Sequence, residues 1–199
     1  MSFPYVGNFL YFPCDDLVSY AKSVGYENFN KSCSAIEFHS NPERGESENV
    51  LQKYYNWHNN EIASIPLETV SWWGEPWFND TGLDINKKWT AKIYWTKPGT
   101  FEPPHIDFYP SFLGGQHKPD GSLWTKEDIV EIGEKIQRLW VPLQSSKLGH
   151  LFYTEDYALS CWNKGDVYRI PAGMRHGFVN GGVEDRFLLV ITGYIKKGT

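Results

Sequence analysis

The sequence predicts a mainly β protein with flanking helices, and three observations carry that prediction. From Lys88 onward, short β-branched and aromatic runs alternate with tight turns, the pattern of a sandwich, barrel or jelly roll. Ahead of Lys88, two segments carry apolar residues at helical spacing. Nine Trp, twelve Tyr and twelve Phe supply more hydrophobic surface than a disordered chain leaves in water. The 199 residues suit one domain with a sizeable core. Its expected parts are a helical or irregular front over 1–87, packing on a β core over 88–195, with an inserted loop and helix at about 108–137.

The elements follow in order. A first helix is expected at 15–24: Asp15 or Asp16 caps it, Leu17, Val18, Ala21 and Val24 form its stripe, and Gly25 stops it. A second is expected from about 47 to 63, where Val50, Leu51, Tyr54, Tyr55 and His58 recur at helical spacing. Residues 65–86 break into Pro66, Trp72-Trp73-Gly74, Pro76-Trp77-Phe78 and Gly82, an irregular or short-strand stretch packed by aromatics. The first core strand is Trp89–Thr96, ended by Pro98-Gly99-Thr100. Further strands are expected at 138–143, 150–153, 158–162, 167–170, 177–180 and 186–194. Turn signals separate them, among them Asn163-Lys164-Gly165-Asp166, Pro171-Ala172-Gly173 and Gly181-Gly182. One helix interrupts the series: Thr125-Lys126-Glu127-Asp128 reads as a capping box, and Ile129, Ile132 and Ile136 form its stripe. The insertion holding this helix begins soon after Asp107, so it reads either as a lid over a site or as surface decoration.

Charge and cysteine usage narrow the function classes. A net charge of -5 argues against a broad phosphate-backbone contact, so no nucleic-acid partner is expected. No apolar run approaches the roughly 18 residues of a membrane span, and no membrane partner is expected. Residues 1–14 carry no Lys or Arg and are broken by Pro4 and Pro13, unlike a signal peptide. Cys14, Cys33 and Cys161 are odd in number and widely spaced, which suits a reducing, cytoplasmic location.

The chemistry centres on His105-Ile106-Asp107. In an extended chain residues i and i+2 face one side, so this imidazole and carboxylate can converge on one metal ion. Alone the pair is a weak signal, because an exposed polar pair is the commoner case. His176 adds weight, since it opens a strand directly after the 171–175 turn. Two histidines and one carboxylate on a small β scaffold make the facial triad of non-haem Fe(II) oxygenases, with three positions open. Arg186, at the head of an apolar strand, is suited to pair bidentately with a dicarboxylate such as 2-oxoglutarate; a strand-end surface charge is its plainer reading.

His105-x-Asp107, His176 and Arg186 resemble the H-x-D…H…R signature of Fe(II)/2-oxoglutarate-dependent oxygenases. The finer resemblance is to their aspartyl/asparaginyl β-hydroxylase-like branch, which includes free-proline hydroxylases. Pro98-Gly99-Thr100, Arg138-Leu139-Trp140-Val141-Pro142-Leu143 and the run from His176 through Asn180 to Arg186 carry it, over about residues 90–194. The resemblance implies a double-stranded β-helix, Fe(II) held by His105, Asp107 and His176, and 2-oxoglutarate clamped by Arg186. O2 would be the oxidant, and hydroxylation of an amino acid, a peptide residue or a small molecule would accompany formation of succinate and CO2. By position it implies that Arg138 contacts 2-oxoglutarate or substrate, and that Tyr94 stands where the branch has a hydroxyl donor. The chain departs from the branch in three places. Asp107 stands where its animal enzymes often have Gly, Trp140 replaces the usual His, and 108–137 lengthens the gap between the histidines.

Two other classes stay open. One is a cupin-like metalloenzyme that keeps the triad without 2-oxoglutarate, and the other is a non-catalytic β-sandwich binding module using exposed tryptophans. Elsewhere the plainer reading leads. His39, His58 and His117 read as surface or helix-face residues, His150 and Asn180 as structural groups, Asp166 as a turn-fixing carboxylate, Glu155-Asp156 as a solvated turn, and most tryptophans as core.

Overall fold

Strand β11 (Arg186–Tyr194) shows how the fold is built. Successive side chains of a strand point to opposite faces, so Phe187, Leu189 and Ile191 share one side and Arg186, Leu188, Val190 and Thr192 the other. The first set enters an apolar cluster under helices, and Leu188 and Val190 of the second meet a facing sheet. Burial on both faces explains why this stretch reads as a near-continuous apolar run.

The computed structural model describes residues 5–9, 12–28, 30–31, 62–66, 75–84, 86–107, 109 and 118–196. The elements are β1 (Tyr5–Asn8), α1 (Cys14–Val24), β2 (Asn30–Lys31), β3 (Ile62–Pro66), α2 (Glu75–Thr81), β4 (Trp89–Thr96) and β5 (Thr100–His105). They continue with α3 (Lys126–Ile132), β6 (Ile136–Pro142), β7 (His150–Thr154), β8 (Ala158–Leu159), β9 (Asp166–Ile170), β10 (His176–Asn180) and β11. One sheet runs β1-β9-β6-β11-β4-β3-β2 and the other β5-β10-β7-β8. All pairings are antiparallel. Strands β4 to β11 place four strands in each sheet, and the chain crosses between sheets at every step except β7 to β8. That strand order is the double-stranded β-helix, or jelly roll.

The front of the chain closes the outer face of the larger sheet. Cys14, Leu17 and Ala21 of α1 and Trp77 and Phe78 of α2 pack on Ala91, Ile93, Trp95, Leu139, Val141, Phe187, Leu189 and Ile191. Each large apolar side chain buried there contributes about 1.5–3 kcal/mol. The front also adds β1, β2 and β3 to that sheet, beyond the helical and irregular structure expected of it.

Several boundaries differ from the expected ones. Most of the expected helix over 47–63 lies outside the described residues, and Ile62 and Ala63 are strand, paired with Thr96 and Trp95. Within 65–86 the chain forms α2, where Thr81 Oγ1 donates to Trp77 O at 2.8 Å. Burial of two adjacent aromatics against the sheet overrides a weak local pattern there. The expected strand at 158–162 stops at Leu159, because Trp162 turns inward and its Nε1 donates to Gln144 O at 3.2 Å. The capping box of α3 forms, with Asp128 N donating to Thr125 Oγ1 and Thr125 N to Asp128 Oδ2. Ile136, expected on that helix's stripe, instead opens β6. The loop at 110–117 that a lid would use lies outside the described residues. No helix among the described residues is long and apolar enough to cross a membrane.

Candidate metal centre

The site lies between the two sheets. His105 ends β5, His176 begins β10, and the two are cross-strand partners with ring centroids 4.5 Å apart. Asp107, two residues past the strand, brings its Oδ2 to 3.5 Å from His176 Nε2 and its Oδ1 to 3.7 Å from His105 Nε2. One donor atom from each of the three lies within 4.8 Å of the others. The i, i+2 reading of His105 and Asp107 and the placing of His176 opposite them thus meet in one cluster.

Backbone carbonyls set the tautomers. His105 Nδ1 stands 3.1 Å from Pro103 O, and His176 Nδ1 stands 3.1 Å from Met174 O. A carbonyl oxygen only accepts, so Nδ1 carries the hydrogen and Nε2 turns a lone pair into the cluster. The His176 ring also stacks on Phe152, with centroids 5.6 Å apart. Such outer contacts hold metal-ligating rings in place. Asp107 Oδ2 is buried and accepts no hydrogen bond among the described residues. Two ring lone pairs and a buried, unsatisfied carboxylate oxygen around one point suit a divalent cation.

Electrostatics keeps Asp107 ionised. Burial alone would raise its carboxyl, but Arg138 and then the two imidazoles outweigh it and bring the group down to about 2. Burial pushes the His176 imidazole below its usual range, keeping it neutral and able to ligate.

Arg138 projects from β6 on the inner face, and its guanidinium pairs directly with Asp107 Oδ1. Its Nε donates to Thr192 Oγ1 at 3.0 Å, and its Cζ lies 4.8 Å from the Tyr109 ring centroid. Tyr109 is buried with a φ of +46°, an uncommon conformation for a tyrosine, and its ring faces Arg138. Arg138 therefore clamps one oxygen of the Asp107 carboxylate, leaving Oδ2 turned toward the His176 imidazole. Tyr94, on β4, lies on the same inner face, where burial pushes its phenol up to about 12 and keeps it a hydrogen donor at neutral pH.

Arg186 is 2% exposed, and both terminal guanidinium nitrogens lack an acceptor among the described residues. Aromatic rings surround it: Cζ lies 4.7 Å from Phe178, 5.2 Å from Trp140 and 5.7 Å from Trp162. Burial lowers it to about 10, so it remains charged at neutral pH. Phe178, two residues beyond His176 on the same face of β10, links this cage to the His105, Asp107 and His176 cluster.

Other predicted groups are structural. Asp166 accepts from Asn163 N, Tyr168 Oη and Asn8 Nδ2. Asn180 Nδ2 donates to Thr96 O and Glu184 O. His150 Nδ1 accepts from Lys147 N, and its ring stacks on Trp162. His39, His58 and His117 lie outside the described residues.

One polar group near the cluster escapes sequence reasoning. Glu102 Oε1 reaches 3.5 Å from His105 Nε2, and its side chain is 15% exposed. Residues three apart on a regular strand face opposite ways, so the pair has no period-two signal. The proline pair Pro103-Pro104 is the available cue, since proline in a strand is confined to edges and bulges.

No protein-family profile and no curated protein matches the chain. Solved structures similar to it are cupin-fold proteins. A Cupin 2 conserved barrel domain protein from Salinispora arenicola is 14% identical, with 66% of this chain and 75% of that chain covered and a TM-score of 0.35. The Cupin_2 domain of an XRE family transcriptional regulator from Enterobacter cloacae is 11% identical, covering 68% and 99% with a TM-score of 0.38. A sugar phosphate isomerase from a cupin superfamily, from Silicibacter pomeroyi, is 13% identical, covering 67% and 60% with a TM-score of 0.36. The double-stranded β-helix rests on the chain's own strand order.

Proposed function

We propose that this protein is an Fe(II)/2-oxoglutarate-dependent dioxygenase that hydroxylates an amino acid, an amino-acid residue or a related small molecule. The carrying observation is the juxtaposition of a three-donor cluster and a buried guanidinium inside one jelly roll. One donor atom each from His105, Asp107 and His176 lies within 4.8 Å of the others, and a buried guanidinium without an acceptor among the described residues stands in an aromatic cage reached through the neighbouring strand positions.

His105, Asp107 and His176 would hold the iron. Bound there, iron and 2-oxoglutarate would supply the oxidising chemistry, with succinate and CO2 as co-products. Arg186 would receive the far carboxylate of 2-oxoglutarate. Its caged position makes that pairing strong, because no water competes for a desolvated guanidinium. Arg138 would hold Asp107 to one ligating oxygen, and Tyr94 would donate a hydrogen bond from β4, beside Arg186's strand. Phe152, Trp140 and Trp162 would exclude water from the reacting face.

A metalloenzyme without 2-oxoglutarate is the second reading, favoured by Glu102, which adds a fixed anion beside the donors. Both readings are tested by following conversion of 2-oxoglutarate to succinate in the purified protein with added Fe(II). The dioxygenase reading expects Fe(II)-dependent turnover that His105→Ala abolishes, stimulated by some member of an amino-acid and peptide panel. Iron-independent rates, equal in both proteins, would sink it.

A further inference from the structure

Glu102 and His105 share a face for an identifiable reason. Between the pairs His176↔His105 and Phe178↔Glu102, β10 advances two residues while β5 advances three. The extra residue is a β-bulge, placed where Pro103 and Pro104 lack N–H groups to pair. Because cross-strand partners share a face, Glu102 follows Phe178 inward just as His105 follows His176. The backbone is pinned there: Tyr153 Oη donates to Glu102 O at 3.0 Å. A Cβ on Gly177 would lie 2.6 Å from that same carbonyl, so only glycine lets β10 approach this closely.

We propose that Glu102 is a fourth protein donor to the metal held by His105, Asp107 and His176, a role that rests on the reading of those three as a metal site. Its Oε1 faces the lone-pair nitrogen of His105 at 3.5 Å, as Asp107 Oδ2 faces that of His176 at 3.5 Å. One cation held by these residues would relieve both contacts. Glu102 stands outside the mutual 4.8 Å cluster of the other three, so it would join by side-chain rotation on the pinned backbone. Two nitrogens and two carboxylates leave a six-coordinate ion two open positions instead of three. A cosubstrate that chelates through two atoms would fill these, and Glu102, on the longer arm, is the donor free to give one up.

The test uses Mn(II) as probe, reading its affinity and the water-proton relaxivity of the loaded protein for wild type, Glu102→Gln, Glu102→Asp and the exposed control Glu134→Gln. Glu102→Gln should weaken Mn(II) by about tenfold or more and raise inner-sphere relaxivity about 1.5-fold, as a third water enters. Glu102→Asp, which keeps the charge but withdraws the oxygen, should weaken binding as well, and Glu134→Gln should match wild type. Equal affinity and relaxivity in Glu102→Gln and wild type overturn the fourth donor and leave the three-residue site standing. So does a Glu102→Asp protein that binds as wild type does. A wild-type protein that binds no Mn(II) overturns both.

Discussion

The two faces of the larger sheet are made from the same strands and do opposite work. The outer face carries Ala91, Ile93, Trp95, Leu139, Val141, Phe187, Leu189 and Ile191 against helices, and its energy is that of apolar burial. The inner face, one residue out of step, interleaves Trp140, Leu188 and Tyr168 with Arg138, Arg186 and Tyr94. There the chain holds buried charge whose desolvation works against folding. The difference teaches that apolar burial and buried charge divide by side-chain parity: the face that carries charge is kept in place by the face that does not.

Substitutions on each face sharpen that contrast, beginning with the largest expected effect. Phe78→Ala, on the outer side, should cost about 3–5 kcal/mol in urea unfolding while leaving metal affinity of the folded protein unchanged. A parallel loss of affinity would show that the two faces are coupled. Arg138→Met should cost about 3 kcal/mol in metal-free protein, because it leaves the largely buried Asp107 carboxylate without its guanidinium partner. Asp107→Asn in that background should recover part of the loss in a double-mutant cycle, and strict additivity would refute the clamp.

Arg186→Met reverses the sign. Removing a buried cation without an acceptor from an aromatic cage should leave the unfolding free energy unchanged or raise it by about 1 kcal/mol. The same variant should lose 2-oxoglutarate turnover, and a marked destabilisation would show that Arg186 serves the fold.

His150 gives the smallest effect, read through pH. Burial, with Lys147 and Arg186 nearby and Glu184 opposing them, lowers its imidazole from 6.5. A depressed histidine favours the neutral form, so its contribution is full above pH 6.5 and fades as pH falls below that value toward the folded one. His176 shifts the same way in metal-free protein, so the comparison is wild type against His150→Phe. Between pH 7.5 and 5.5 wild type should lose more stability than the variant, and equal slopes would refute the assignment.

Much of this was legible in the residues. Strand β4, the capping box at Thr125 and Asp128, and β11 follow from local alternation and turn chemistry, which a window of ten residues contains. His105 and Asp107 were legible because i, i+2 spacing survives at a strand end, and Arg186 because a charge heading an apolar strand stands out. Helix α2 was not, since its aromatics gain their energy from a sheet formed later in the chain.

The sequence by itself therefore determined the alternation of inner and outer faces and singled out His105, Asp107 and His176, which the fold brings into one cluster. Only the tertiary structure decided that Arg138 holds Asp107, that Trp140, Trp162 and Phe178 cage Arg186, and that Glu102 turns toward His105. The physical reason is register. Each contact joins residues from separate segments of the chain or crosses a bulge, and an inserted residue shifts which way the following side chains of a strand point.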